Sequence, residues 1–196
     1  MRIISHFIVL FCLFISAGSA IAYTAGGVTL PDKMEVAGKA LLLNGAGVRT
    51  KFVLTLYASG LYLKAKNADA NKVLQANEAM VIRLKIISRF ITSEKMIAAA
   101  QKGFHNSAGG NMAALQPQIQ QFMSAFKQKI IKGDEFDFIY TPATGTQIIK
   151  NGKVLAIIKS LPFKKALFGI WLSNRPAQQS LKNEMLGVKT SNVLFD

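Results

Sequence analysis

Gly45-Ala46-Gly47-Val48-Arg49-Thr50-Lys51-Phe52-Val53-Leu54-Thr55-Leu56-Tyr57-Ala58-Ser59-Gly60-Leu61-Tyr62-Leu63 joins a small-residue turn signal, one arginine and a two-faced strand. Read as a strand from Phe52 to Leu63, it sets Phe52, Leu54, Leu56 and Ala58 on one side and Val53, Thr55, Tyr57 and Ser59 on the other, because side chains alternate with period two. The first face reads as core. The second mixes hydroxyls with apolar groups and suits the wall of a mostly apolar pocket with a few polar fixtures. Arg49, just upstream, is a permanent cation able to grip a carboxylate or an enolate through two parallel hydrogen bonds. The same residues also fit a surface ion pair at Arg49 and ordinary strand positions at Thr55 and Tyr57.

Outward from this stretch, Met34 to Leu43 reads as a first strand, and Gly45-Ala46-Gly47 as the turn that follows it. Asp69 to Gln75 is a short helix. Met80 to Ile87 alternates, with Ile82, Leu84 and Ile86 opposite Val81, Arg83 and Lys85. Thr92-Ser93-Glu94-Lys95 supplies acceptor hydroxyls ahead of an alanine-rich helix to about Phe104. After a loop from Asn106 to Asn111, a second helix reaches about Lys129, with Leu115, Ile119, Phe122 and Phe126 at helical spacing and Pro117 limiting its first turn. Asp134 to Thr141 is a strand with Phe136, Phe138 and Tyr140 on one face. Asn151-Gly152 between two strand-like runs signals a tight hairpin. Two helices close the pattern, near Pro162 to Leu172 and Pro176 to Leu186, the second opened by its proline. Strands, a helix pair, more strands and another helix pair predict an α+β layer in which helices gather on one antiparallel sheet.

The N-terminus predicts export. Arg2 and His6 precede the apolar run Phe7 to Ile15 and then small residues ending Ala20-Ile21-Ala22, which reads as a secretory signal over residues 1–22 cleaved after Ala22. The run is short for a membrane span. No later segment rivals it, so residues 23–196 read as one soluble domain with no transmembrane segment. Cys12 is the only cysteine and lies inside the signal, which leaves no disulfide or thiol chemistry downstream. The expected compartment is the bacterial periplasm. With Arg2 set aside, 23 basic residues face 10 acidic ones. That balance favours acidic partners: carboxylates, anionic membrane surfaces and nucleic acid, of which export disfavours the last. Lys64, Lys66, Lys72, Lys85, Lys127, Lys129, Lys132, Lys164 and Lys165 are scattered in sequence and read as a solvated surface, which also argues against nucleic acid.

Several chemistries find no support. His105 is the only histidine after the signal, in a glycine-bounded region, and no Gly-x-Ser-x-Gly elbow is present, so a serine or cysteine hydrolase is disfavoured. No clustered spacing of nitrogen and carboxylate ligands points to a protein-held metal. Gly45-x-Gly47 lacks the third glycine of a nucleotide fingerprint. Asp134, Glu135 and Asp137 read as solvated strand positions. No cofactor is indicated.

Gly45-Ala-Gly-Val-Arg-Thr-Lys-Phe52, the following Tyr57-Ala-Ser-Gly-Leu-Tyr-Leu63, Ser93-Glu94-Lys95 at a helix start, and Trp171-Leu-Ser-Asn-Arg-Pro176 ahead of a helix containing Leu181-Lys182 together resemble the chalcone isomerase-like superfamily, in its exported bacterial branch. The likeness spans roughly Thr29 to Val193. It implies an open-faced β-sandwich, a long antiparallel sheet covered by helices with a ligand cleft between the layers. The superfamily holds plant enzymes that cyclise chalcones and relatives that bind fatty acids.

Both kinds use an arginine that Arg49 matches, and in the enzymes it stabilises developing negative charge. The resemblance assigns Tyr57 to the binders, since the enzymes carry threonine there. Lys95 agrees with the enzymes. Thr92, Ala99 and Ile170 replace their tyrosine, asparagine and threonine. The resemblance therefore implies a non-catalytic pocket for a fatty acid or similar carboxylate, with Arg49 and Tyr57 at the head group and Val53, Thr55, Thr92 and Ile170 along the wall. The alternatives are an isomerase acting on an enone through Arg49 and Lys95, and an accessory protein whose cleft is filled by its own side chains. One extended strand would hold Arg49 and Tyr57 roughly 26 Å apart, so a shared head group requires the chain to fold back after Arg49.

Overall fold

The structure, a computed structural model, describes residues 23–109 and 112–188; the expected signal lies outside the described residues. A small hairpin, β1 (Tyr23–Ala25) and β2 (Val28–Leu30), precedes the main sheet. That sheet has seven strands, β3 (Lys33–Val36), β4 (Lys39–Lys51), β5 (Leu54–Leu63), β6 (Met80–Ile86), β7 (Glu135–Thr141), β8 (Gly145–Lys150) and β9 (Lys153–Ile158), each antiparallel to its neighbour in chain order. α1 (Ala70–Gln75) links β5 to β6, α2 (Ser93–Ser107) and α3 (Met112–Ser124) lie between β6 and β7, and α4 (Leu161–Leu172) and α5 (Gln179–Met185) follow β9. The architecture is α+β, one antiparallel sheet with helices gathered on it, as the order of strands and helices predicts.

Local chemistry explains several element ends. Asp69 Oδ1 accepts from Asn71 N and Lys72 N at the start of α1, Thr92 Oγ1 from Lys95 N at the start of α2, and Ser160 Oγ from Phe163 N at the start of α4. Asn151 and Gly152 take φ of 49° and 79° in the β8–β9 turn, the conformation that Asn-Gly favours. The helix-facing core holds Leu61, Ile82, Leu84, Ile86, Phe136, Phe138 and Tyr140 from the sheet, as the strand alternation predicts. α4 is the central cover, with nine of its twelve residues buried. It meets α2 closely, since a Cβ on Gly103 would lie 2.8 Å from Ile170 Cγ2, and Ser107 Oγ donates to Ala166 O at 2.7 Å. A smaller cluster of Leu30, Val36, Leu41, Leu43, Ala46, Tyr62 and Val81 covers part of the opposite face.

Several expectations are corrected. The expected strand Met34 to Leu43 is two strands divided by a turn at Ala37 and Gly38, both at positive φ. Gly45-Ala46-Gly47 is no turn but the middle of β4. The true reversal is at Phe52 and Val53, and β5 begins at Leu54. Pro117 sits inside α3, which ends at Ser124 rather than near Lys129. His105 belongs to the last turn of α2 and is exposed. α5 begins at Gln179, beyond Pro176.

The acidic residues of β7 are paired rather than solvated. Arg83 grips Asp137 in a bidentate pair at 2.7 and 2.8 Å and reaches Glu135 at 3.2 Å, while Lys150 holds Asp134 at 2.8 Å. Lys164 is not a surface lysine at all. It is fully buried on α4, and its Nζ donates to the carbonyls of Val73, Leu74 and Ala76 at 2.9–3.1 Å, satisfying the C-terminal end of α1.

Candidate functional site

The β4–β5 hairpin brings the two central residues together. Lys51 pairs with Leu54, and three residues further along β5 Arg49 lies directly opposite Tyr57. Cβ atoms of directly opposed residues stand about 4.5–5.5 Å apart, so the fold-back replaces the long separation of an extended strand by one cross-strand step. Gly47 faces Ser59 next along the pair, and Gly45 faces Leu61. Arg49, Tyr57, Ser59 and Leu61 therefore form one row, with Tyr57 and Leu61 in the helix-facing core.

The two glycines exist for α5. A Cβ on Gly45 would lie 2.2 Å from the Glu184 carbonyl oxygen, and one on Gly47 would collide with the Glu184 carboxylate. Only bare backbone lets the helix come this close. Glu184 Oε2 accepts from Val48 N at 3.2 Å, and Gln178, just before α5, is stitched to the end of β4. Gln178 Oε1 accepts from Arg49 Nη1 and from Thr50 N, both at 2.9 Å, and its Nε2 donates to Val48 O at 3.2 Å.

Tyr57 is 8% exposed, and its hydroxyl accepts from Trp171 Nε1 of α4 at 3.1 Å. Burial raises the phenol's pKa above its ordinary value, against the opposing pull of the Trp171 hydrogen bond and the Arg49 charge. The phenol is therefore neutral near pH 7 and keeps its proton. Among the described residues that proton has no acceptor, Arg49 has no carboxylate within 4.0 Å, and the buried Ser59 hydroxyl has no partner. A buried hydroxyl such as that of Ser59 ordinarily has a partner, whether protein, ordered water or ligand. The row can stabilise an anion. The one carboxylate seen against it among the described residues, that of Glu184 beside Gly47, accepts from Val48 N.

The other expected site residues fall elsewhere. A register shift between Arg49 and Thr50 leaves Leu56 unpaired, so alternation breaks there and Thr55 turns to the opposite face, beside Gly26 of the small hairpin. Val53 is 96% exposed at the tip and walls no pocket. Thr92 is committed to capping α2. Lys95 is exposed and donates from Nζ to Phe90 O at 3.0 Å. Ala99 faces solvent, and Ile170 packs against Gly103 of α2. Of the expected set, the structure joins Arg49 to Tyr57 alone. Trp171, Gln178 and Ser59 complete the site, and the signal for the α5 contact was the Gly45-x-Gly47 spacing, which places two bare positions on one strand face.

Two shallow, open grooves lie away from this row. One, of about 500 Å³ between α2 and α3, is lined by Ile97, Gln101, Met112, Ile119, Met123 and Lys127 among others. The second, of about 460 Å³, brings Arg89, Ile91 and Glu94 against Lys129, Ile131 and Lys132.

Among solved structures, a fatty-acid binding protein of Arabidopsis thaliana shares the fold with a TM-score of 0.68 at 18% identity, covering 82% of this chain and 92% of the other. No curated protein matches in sequence. Residues 22–187 match the family described as chalcone isomerase-like, a span that takes in every strand and helix above, and to that family the chain belongs.

Proposed function

We propose that this protein binds a fatty acid or a similar amphipathic carboxylate without transforming it, with the head group between Arg49 and Tyr57. The observation that carries this reading is the row itself: an arginine with no carboxylate partner among the described residues, opposite a neutral phenol whose proton has no acceptor, at the edge of an apolar interlayer. A carboxylate uses both donors, and charge-assisted bonds to a guanidinium are roughly twice as strong as neutral ones. In this account Gln178 Oε1 stands in for one carboxylate oxygen, and the ligand displaces it from Arg49 and Thr50 N. The fold shared with a fatty-acid binding protein supports the same reading. A location in the periplasm belongs to the proposal, on the strength of the leader-like residues 1–22.

The space behind Tyr57 is filled by protein, with Leu61, Leu84, Phe138 and Trp171 all buried. Binding therefore requires α5 and Trp171 to shift. Burying a long alkyl tail gains about 0.8 kcal/mol per methylene, enough in total to offset such an opening. Calorimetric titration with palmitate tests the reading: saturable binding is expected, weakened about tenfold or more by Arg49→Ala. No heat with any long-chain carboxylate would sink it.

That same filled space favours a second reading, an accessory protein with no ligand in the cleft. An isomerase finds less support, because Lys95 is engaged at the surface with Phe90 O. Turnover of hydroxychalcones or simpler enones that depended on Lys95 would restore it.

A further inference from the structure

We propose that the end of the sheet carrying the β4–β5 tip docks on an anionic lipid bilayer. Strand register places the β4–β5 tip, the β6–α2 loop, the α3–β7 loop and the β8–β9 turn at that end, and the first three form the docking surface. Tyr57 pairs with Ile86, so the hairpin projects past the end of β6, while Ile87 N and Ser88 N donate to Leu56 O as the chain turns toward α2. Gly133 N donates to Ile86 O, which brings the α3–β7 loop alongside.

Each of these three presents apolar side chains to solvent. Phe52 is 90% exposed, Val53 96%, Phe90 48% and Ile131 53%. Singly exposed apolar residues are ordinary, but several large ones gathered on neighbouring loops mark an interaction surface. Phe52 also takes φ of 53°, a left-handed conformation that a hairpin tip normally gives to glycine or asparagine. A bulky aromatic is held there at a backbone cost, and it makes no burial in return.

Charge identifies the occupant. Lys51 and Arg89 sit beside the apolar tips, each with its cation over the neighbouring ring of Phe52 or Phe90, and Lys129 and Lys132 flank Ile131. None of the four is in an ion pair among the described residues, and Glu94 is the acid in the groove that Arg89, Lys129 and Lys132 line. Apolar tips among cations match the boundary between acyl chains and anionic headgroups. A second copy of the chain would bring the same four cations against themselves, which disfavours a symmetric dimer through this end. The proposal is independent of the cleft ligand. It does place the mouth of the Arg49 site, two residues from Lys51, at the bilayer surface.

The test uses the full chain carrying Val53→Trp, whose emission reports the tip itself, read as a difference from the parent with its single, buried Trp171. Vesicles containing about one-third phosphatidylglycerol in phosphatidylcholine are expected to shift that emission to the blue, and pure phosphatidylcholine to shift it little. Arg89→Glu/Lys132→Glu is expected to lower vesicle affinity about tenfold, whereas Lys39→Glu/Lys66→Glu, an equal charge change at the far end of the sheet, is expected to leave it within about twofold. Phe52→Gly/Val53→Ser, which suits the turn, is expected to reduce co-sedimentation with the same vesicles. No shift with anionic vesicles, equal loss from both charge reversals, or a blue shift that depends on protein concentration without lipid would each overturn the proposal.

Discussion

Arg49 and Tyr57 oppose each other directly across the β4–β5 hairpin, although eight positions separate them in the chain. One cation and one phenol share a strand pair, and Gln178, just before α5, and Trp171 of α4 hold them. Moving either support changes what the pair can bind.

Gln178→Glu supplies Arg49 with an internal carboxylate. The gained charge-assisted bond is offset by the lost amide donation to Val48 O, so stability should change by less than about 1 kcal/mol. Palmitate affinity, in contrast, should fall by about tenfold or more, because the anion site is already filled. Denaturation and calorimetry on the same sample separate the two effects. Unchanged affinity would show that Arg49 does not hold the head group.

The glycines of β4 differ in how their neighbours can yield. At Gly45 the obstruction is the backbone of α5, whereas at Gly47 it is the Glu184 side chain, whose carboxylate can rotate away although its Cβ, 2.7 Å from the added atom, cannot. Gly45→Ala is therefore expected to cost about 2 kcal/mol or more and Gly47→Ala less, measured by urea denaturation. Equal costs would mean that α5 is not fixed against β4 as described.

Phe52→Gly should stabilise the fold. Its φ of 53° strains any residue with a Cβ, and the exposed ring gives up little packing when removed. The gain expected is about 0.5–1 kcal/mol, seen as a higher thermal midpoint. A lower midpoint would mean that the ring makes contacts worth more than the strain.

Lys164 gives the protein an alkaline dependence with a definite sign. Burial, aided by the charge of Lys165, lowers its pKa to about 8, while an unfolded lysine titrates near 10.4. Between these values the unfolded chain binds more protons than the folded one, so stability rises with pH across that window. The gain from this group between about pH 7.5 and about 9 is on the order of 1 kcal/mol. Lys164→Met should flatten that part of the profile. A wild-type midpoint that falls over the same range while the variant's does not would reverse the assignment.

The fold was legible wherever the determining chemistry is local. Asn151-Gly152 dictates its own turn, Thr92 its own helix cap, and the alternation in Met80–Ile86 its own two faces. The β4–β5 reversal was hidden because Phe52 and Val53 continue the apolar alternation and carry no turn residue. Gly45 and Gly47 resemble a turn, yet they serve a helix more than a hundred residues away in sequence. Tertiary demand on a glycine cannot be separated from conformational demand in one sequence. The site was half legible for the same reason. Arg49 and Tyr57 could be named from their types, but the unpaired Leu56 that turns Thr55 away is a property of strand pairing. Lys164 reads as any other lysine until the carbonyls of Val73, Leu74 and Ala76 are found around it.

Native mass spectrometry of the protein purified without detergent decides whether Arg49 holds a long-chain carboxylate. An adduct with the mass of a long-chain carboxylate is expected in the wild-type protein and strongly reduced in Arg49→Ala and Gln178→Glu. An adduct retained undiminished in both variants, or no adduct before or after incubation with fatty acid, would show that Arg49 does not hold one.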